Sequence, residues 1–257
     1  MTPDRPTASR LRTYATPALD SLLLAATPIA TFDGPRALTN ASGFFFARDE
    51  RLFLVTSRHV LVDEPTGHHP DRIELLLHTD AVDLSRSVGL SLLIFEAGRA
   101  RWRQGKDSGG EIDVAMIELD RHAMPEGSLY HAFTPAHLHQ PPARVEVGHS
   151  VLVVGFPLGF HDTVHHLPVV RQAVVASAWG IRFQGHGYFL TDARTHRGTS
   201  GAPVVMRDGS SRSPLPWKLL GVHSARLDMA NRDRVEDESL GLNCAWYADI
   251  LMTLSAR

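Results

Sequence analysis

Apolar residues in this chain fall into short runs, interrupted every ten residues or so by charged, Gly- or Pro-containing segments. Ser42-Gly-Phe-Phe-Phe46 and Leu52-Phe-Leu-Val-Thr56 flank the charged Arg48-Asp-Glu-Arg51, a pattern that predicts a β-hairpin. Leu24 to Phe32 predicts a strand ahead of it, running into a turn at Asp33-Gly34-Pro35, with Tyr14 to Leu24 a short helix or irregular lead-in. Ile73 to His78, Leu90 to Phe95 and Ile112 to Leu119 continue the series. Arg121 to Pro142 breaks the pattern with Met124-Pro-Glu-Gly and Gln140-Pro-Pro. The strands resume at Ser150 to Gly155, Val169 to Ala176, Gly180 to Phe183 and Tyr188 to Leu190, the last two around a turn at Gly185-His-Gly187. Pro203 to Met206, Leu219 to Ser224 and Gly241 to Ala245 complete the second series. Only Ala245 to Leu254 is amphipathic at helical spacing. Two series of short strands joined by a linker predict an all-β chain of two antiparallel units, closed as barrels or sandwiches.

Composition changes this picture little. The 257 residues suffice for one large or two modest domains, and 43% apolar with 21% charged residues is ordinary for a globular chain. A net charge of -2 gives no general attraction for nucleic acid or anionic membrane, and neither is expected as a partner. No apolar run approaches the roughly 20 residues that span a bilayer. Arg5, Arg10 and Arg12 precede Leu22-Leu-Leu-Ala-Ala26, but Thr27 and Pro28 break that run and no small-x-small cleavage site follows, so a first strand is favoured over a leader. Cys244 is the only cysteine, so no intrachain disulfide forms. The cytoplasm is the expected location, and a periplasmic or secreted one is compatible with the same composition.

The candidate chemistry starts at Leu190 to Val205. Gly198-Thr-Ser-Gly201 must bend tightly between an apolar run and a β-branched one. Two glycines free the backbone to turn sharply, which exposes the Ser200 hydroxyl and turns amides outward. A nucleophilic serine needs that arrangement, and it needs a base with an orienting acid. His59 follows a buried strand, and Asp113 sits at the edge of a strongly apolar one. A carboxylate there is costly to bury unless hydrogen-bonded, and an imidazole N–H would satisfy it. The order His, Asp, Ser does not fit an α/β-hydrolase. That fold wants acid and His after the serine, and glycine where this chain has Ala202.

With these residues in view, the chain resembles the chymotrypsin-like (trypsin-fold) serine peptidases, in particular the bacterial disulfide-free branch that includes HtrA-type proteases. The resemblance runs from about Ser42 to Ala225. It rests on Ala41 to Phe46, Leu54-Val-Thr-Ser-Arg-His59-Val, Asp113-Val-Ala-Met-Ile117, Val154-Gly-Phe-Pro157, Thr191-Asp-Ala193 and Gly198 to Pro203. It implies two antiparallel six-stranded β-barrels with the active site in the cleft between them and a short C-terminal helix. The corresponding division is an arm at 1–20, a first barrel at 21–125 with His59 and Asp113, a linker at 126–144, and a second barrel at 145–257 with Ser200. It further implies His59 as general base and acid, Asp113 as its orienting carboxylate, Ser200 as nucleophile, and the amides of Gly198 and Ser200 as oxyanion hole. Ser224, in Gly221-Val-His-Ser-Ala225, falls on the strand lining the substrate cleft, with its hydroxyl expected on Asp113. Thr199 stands where trypsin-type zymogens carry the aspartate that pairs with a newly cut N-terminus, so no such activation is expected.

The resemblance also bears on substrate preference. Arg194 occupies the position of the pocket floor, which argues against substrates with Lys or Arg before the scissile bond. Thr195 and His223 fall where glutamyl endopeptidases and picornaviral proteases carry a hydroxyl and a histidine that bind a Glu or Gln side chain. A satisfied core histidine and a turn threonine explain the same two residues structurally. Thr195, His223, Ser224 and Ala225, with Arg194, form the expected substrate-binding set. His68-His69, His137-x-His139 and His161-x-x-x-His165-His166 lack a metal-binding context and are read as solvated loop histidines, with no metal and no cofactor expected. Arg182, Arg194, Arg197 and Arg226 are read as surface charge, and Arg232 to Glu238 as a solvated loop. The partner implied is a protein or peptide substrate. The alternative from another class is a trypsin-fold interaction module, catalytically silent or activated by a protein partner.

Overall fold

The computed structural model describes residues 19–139, 144–226 and 240–256. The predicted arm, the Arg232 to Glu238 run and the Gln140-Pro-Pro segment fall outside the described residues, wholly or in most of their length. The first strands are β1 (Ala26–Asp33), β2 (Arg36–Arg48), β3 (Arg51–Thr56), β4 (Arg72–His78) and β5 (Ser87–Leu93). A small hairpin, β6 (Phe95–Glu96) and β7 (Arg99–Ala100), leads to β8 (Trp102–Asp107), β9 (Gly110–Leu119) and β10 (Ala132–Phe133). The second series is β11 (Ser150–Gly155), β12 (Val169–Val174), β13 (Tyr188–Thr191), β14 (Pro203–Arg207), β15 (Trp217–Arg226) and β16 (Asn243–Tyr247). One helical turn, α1 (Arg58–Leu61), and the short α2 (Ile250–Leu254) complete the regular elements used below.

The fold is all-β, as expected. The first sheet runs β5-β4-β1-β2-β3-β9-β8, with β10 added parallel to β2, and it curls into a half-barrel. The second runs β12-β11-β14-β15-β16-β13. It closes through the Val175–Thr191 bridge and the bond from Ala176 N–H to the Leu190 carbonyl at 2.8 Å. Residues inside the expected linker are tied to both sheets. Ala132 and Phe133 pair with Phe45 and Phe46, and Leu138 bridges Leu219. No helix among the described residues is long and apolar enough to cross a membrane.

The unbroken apolar runs of the sequence have a direct explanation. Alternate residues of a strand point to opposite faces, and here both faces of the central strands are covered. Phe45, Leu52, Leu54, Ala115 and Ile117 fill the first sheet's own core. Their neighbours Phe44, Phe46, Phe53, Val55 and Val114 face a shared layer with Val154, Leu190, Val222 and Trp246 of the second series. Val153, Phe189, Val204 and Ala245 fill the second sheet. The strand that carries Asp113 and the strands that flank His59 and Ser200 therefore meet across one apolar layer.

Several boundaries differ from the pattern. The Phe44 hairpin is part of a longer strand, and Asp49 (φ 50°) with Glu50 (φ 66°) forms its two-residue turn in the left-handed region that such tight hairpins require. Gly180 to Phe183 is not a strand. Gly180, Gln184 and Gly185 take positive φ, Arg182 pairs with Asp107 at 2.8 Å, and β13 pairs with β16 instead. Trp102–Asp107 forms β8, a polar sheet edge whose charged side chains hide it from a search for apolar runs. Of the expected Ala245 to Leu254 helix, the first residues belong to β16 and only Ile250–Leu254 is helical.

Candidate active site

His59 sits in α1, a single turn following β3. The turn begins where β3 leaves the sheet at Thr56, and Val60 and Leu61 bury into the first core. Arg58 braces it by bonding Gln104 at 2.7 Å and Glu64 at 2.8 Å. Asp113 lies at the start of the apolar part of β9 and receives three bonds. The His59 backbone N–H donates to one oxygen at 2.8 Å, the His59 ring lies 2.7 Å from the other, and the Ser224 hydroxyl donates to that same oxygen. A carboxylate only accepts, so Nδ1 of His59 carries the proton and the Nε2 lone pair is left free. Burial pulls the His59 pKa down. The hydrogen bond to Asp113, with the charges of Asp113 and Asp63, outweighs that and Arg58, and the net shift is upward.

Ser200 comes from the loop between β13 and β14. Its hydroxyl donates to the Ser224 carbonyl at 3.0 Å rather than to His59. Ser224 therefore links the two halves, its side chain on Asp113 and its carbonyl on Ser200. His59, Gly198 and Ser200 line one cleft of about 660 Å³, with Asn40, Asp63 and Arg197 on its walls.

The turn geometry explains both glycines. Gly198 has φ 90°, and a Cβ there would lie 2.7 Å from the Phe156 carbonyl and 2.8 Å from the Leu158 nitrogen. Gly201 has φ 85°, and a Cβ would collide with the Ser42 carbonyl and the Thr56 hydroxyl. The Arg197 carbonyl accepts from Leu158 N–H at 2.5 Å. Across a trans peptide C=O and N–H point opposite ways, so Gly198 N–H is turned away from Leu158. Among the described residues neither the Gly198 nor the Ser200 amide has a protein acceptor.

Ser42 braces the serine loop, and the sequence reading did not single it out. It is fully buried, its hydroxyl donates to the Gly198 carbonyl at 2.8 Å and accepts from Phe156 N–H at 2.9 Å, and its own N–H donates to the Ser200 carbonyl at 2.9 Å. A small polar residue inside the run ahead of Phe44-Phe-Phe46 was the available signal. Of the expected substrate-binding set, Thr195, His223 and Ser224 are buried, while Arg194 and Ala225 are exposed. The Thr195 hydroxyl donates to Asn243 at 2.5 Å, and Asn243 is a second residue the sequence reading missed. Several of the loop histidines make local backbone bonds, as in His68 to the Val60 carbonyl (3.0 Å) and His161 to the Gly159 carbonyl (2.7 Å). Among the described residues no group of three or more His, Cys, Asp or Glu is placed to hold a metal ion.

A curled sheet and a closed one, with a serine loop, a histidine turn and a carboxylate meeting at their shared layer, define a two-barrel hydrolase-type architecture. Residues 41–211 match the trypsin-like peptidase domain, and the chain belongs to that family. No curated protein sequence matches the chain. Among solved structures, it is similar to the serine endoprotease from Yersinia pestis, with a TM-score of 0.53 and 16% identity over 92% of this chain. This chain spans 63% of that protein's length.

Proposed function

We propose that this chain is a serine endopeptidase in which Ser200 attacks the peptide carbonyl, His59 takes and returns the proton, and Asp113 holds and stabilises the imidazolium. The observation that carries this reading is the circuit from Asp113 to His59 and, through Ser224, to Ser200, beside two amides that lack a protein acceptor among the described residues. Serine–histidine–carboxylate catalysis requires that the carboxylate fix the imidazole tautomer, and the 2.7 Å contact supports that role for Asp113. In this reading the Ser200 side chain turns from the Ser224 carbonyl and gives its proton to Nε2 of His59, which lines the same cleft. Attack then places negative charge on the carbonyl oxygen, and the Gly198 and Ser200 N–H groups are its donors. The protonated His59 passes its proton to the leaving amine, and a water activated by the same nitrogen releases the acyl group from Ser200.

The substrate reading is a preference for Glu or Gln before the scissile bond, through Thr195 and His223. Both are buried polar residues beside the cleft strand, and an exposed Arg194 supplies no acidic floor for a basic side chain. A second reading, a peptidase that a protein partner switches on, draws on the Ser200 rotamer, which is bonded to Ser224 and not to His59. A fluorophosphonate probe separates the readings. The peptidase predicts an adduct on Ser200 in the isolated chain that disappears in Ser200→Ala and falls steeply in His59→Ala. A folded wild-type chain that never labels, alone, would point to the partner-dependent form.

A further inference from the structure

The loop between β11 and β12 carries His161, His165 and His166, and the end of β4 brings His78 against it. Two of these four histidines are committed to partners. His78 Nε2 donates to the His165 carbonyl at 2.6 Å, since a carbonyl only accepts, and the His165 ring lies 2.7 Å from the Asp162 carboxylate. The other two face each other. His161 Nε2 and His166 Nδ1 are 3.5 Å apart, with ring centroids 5.6 Å apart and planes inclined at 38°. Both residues are partly buried rather than fully solvated, and both remain open to small solutes.

The backbone is folded to bring them together. The Asp162 carboxylate accepts from Val164 N–H (2.9 Å) and His165 N–H (3.2 Å), and its carbonyl accepts from His166 N–H (2.6 Å). His166 takes φ 54°, in the left-handed region that residues with a β-carbon seldom occupy, and its ring ends beside His161. A hydrogen bond accounts poorly for the pair. His161 Nδ1 lies 2.7 Å from the Gly159 carbonyl and must donate to it, so Nε2 of the neutral ring is a lone pair. The 3.5 Å separation exceeds the roughly 2.7–3.2 Å of a good N–H bond. A His166 proton held on Nε2 instead would set two lone pairs against each other. The spacing suits a metal ion. Two zinc–nitrogen bonds of about 2.0–2.1 Å at a tetrahedral angle place their nitrogens about 3.3–3.4 Å apart. Metal-bound imidazoles donate their other N–H to a carbonyl or carboxylate, which aims the lone pair at the metal, and the Gly159 carbonyl already does this for His161.

We infer that His161 Nε2 and His166 Nδ1 form a two-histidine site for a divalent transition metal of the zinc class, and that the bound ion fastens this loop beside the serine turn. Among the described residues no third His, Cys, Asp or Glu completes the set, so water takes the remaining positions and binding is reversible rather than structural. Imidazole nitrogen favours zinc, copper and nickel, whereas magnesium and calcium require oxygen donors. The same loop reaches the serine turn. Leu158 N–H donates to the Arg197 carbonyl at 2.5 Å, and Gly198 lies so close to Phe156, Leu158 and Gly159 that a Cβ there would meet all three.

The test is calorimetric titration of the full chain with zinc chloride, as Ser200→Ala to prevent self-cleavage. One ion is expected per chain at this site. His161→Ala and His166→Ala should each weaken binding by at least about tenfold, the lower end of what even an outer partner of a metal site costs. His165→Ala, whose ring is on Asp162, should leave the affinity unchanged. Zinc bound no more tightly than by the His161→Ala/His166→Ala double variant overturns the site, and magnesium bound as tightly as zinc overturns the metal class. A His165→Ala loss equal to that of His161→Ala overturns the choice of ligands. Anomalous scattering from a zinc-soaked crystal depends on no loop variant, and it should place the ion within bonding distance of both nitrogens. An ion found only elsewhere overturns the inference. Hydrogen exchange should slow across residues 157–167 when zinc is added to the Ser200→Ala chain and not when His161 and His166 are both replaced. Unchanged exchange there overturns the fastening of the loop. None of these readouts depends on peptidase activity.

Discussion

Ser42→Ala removes one oxygen from the buried seam between the sheets, and its consequences follow from three bonds. The hydroxyl donates to the Gly198 carbonyl (2.8 Å) and accepts from Phe156 N–H (2.9 Å), and Ser42 is fully buried. Its loss strands one backbone acceptor and one backbone donor. Each unpaired buried group costs about 1–3 kcal/mol, so the variant should be less stable by about 2–6 kcal/mol. The backbone bond from Ser42 N–H to the Ser200 carbonyl survives, so the loop stays attached while the Gly198 peptide loses its tether. Full loss of one oxyanion donor costs about 100- to 1000-fold in kcat in other hydrolases. A loosened donor should cost less, about tenfold or somewhat more, with KM little changed because Ser42 does not line the cleft. Urea unfolding gives the stability change, and steady-state cleavage of a peptide substrate gives the kcat and KM split. A variant with wild-type stability and kcat, or one that changes KM alone, would refute the role assigned to the hydroxyl.

Activity should fall with acid at a pH above the ordinary imidazole value of 6.5, because His59 must be neutral to accept a proton and its pKa is raised. Asp113→Asn should move that acid limb downward, since burial remains while the hydrogen-bonded charge is gone, and lower kcat by about 10⁴; a pH–rate profile checks both. The two histidines have opposite linkage. His59, with its raised pKa, contributes stability that is present in acid and lost as pH rises through its folded value. His223, held at about 4 against 6.5 unfolded, makes the fold lose stability as pH falls from about 6.5 to 4. The His223 contribution is roughly 3 kcal/mol, and His223→Gln should flatten the pH dependence of the urea midpoint across that window. Gly201→Ala should yield little folded protein. The left-handed φ of 85° and the collision with the Ser42 carbonyl and Thr56 act together, and expression with circular dichroism would show it.

The chain itself determined the class of fold and marked the candidate reacting side chains. Most short apolar runs bounded by turn residues became strands. Gly198-Thr-Ser-Gly201, His59 and Asp113 were legible because reactive side chains need particular local backbones, and those leave marks in sequence. The tertiary structure decided what depends on contacts between distant residues. Trp102–Asp107 is a strand only because β9 offers it an edge, and Gly180 to Phe183 is not one because β16 claims β13 first. Ser42 and Asn243 are ordinary small polar residues until Gly198 and Thr195 arrive beside them, 156 and 48 positions away along the chain. Periodicity reports which face of an element is buried. It does not report which buried groups will find each other's hydrogen bonds, since that choice is made only when the two sheets close on their common layer.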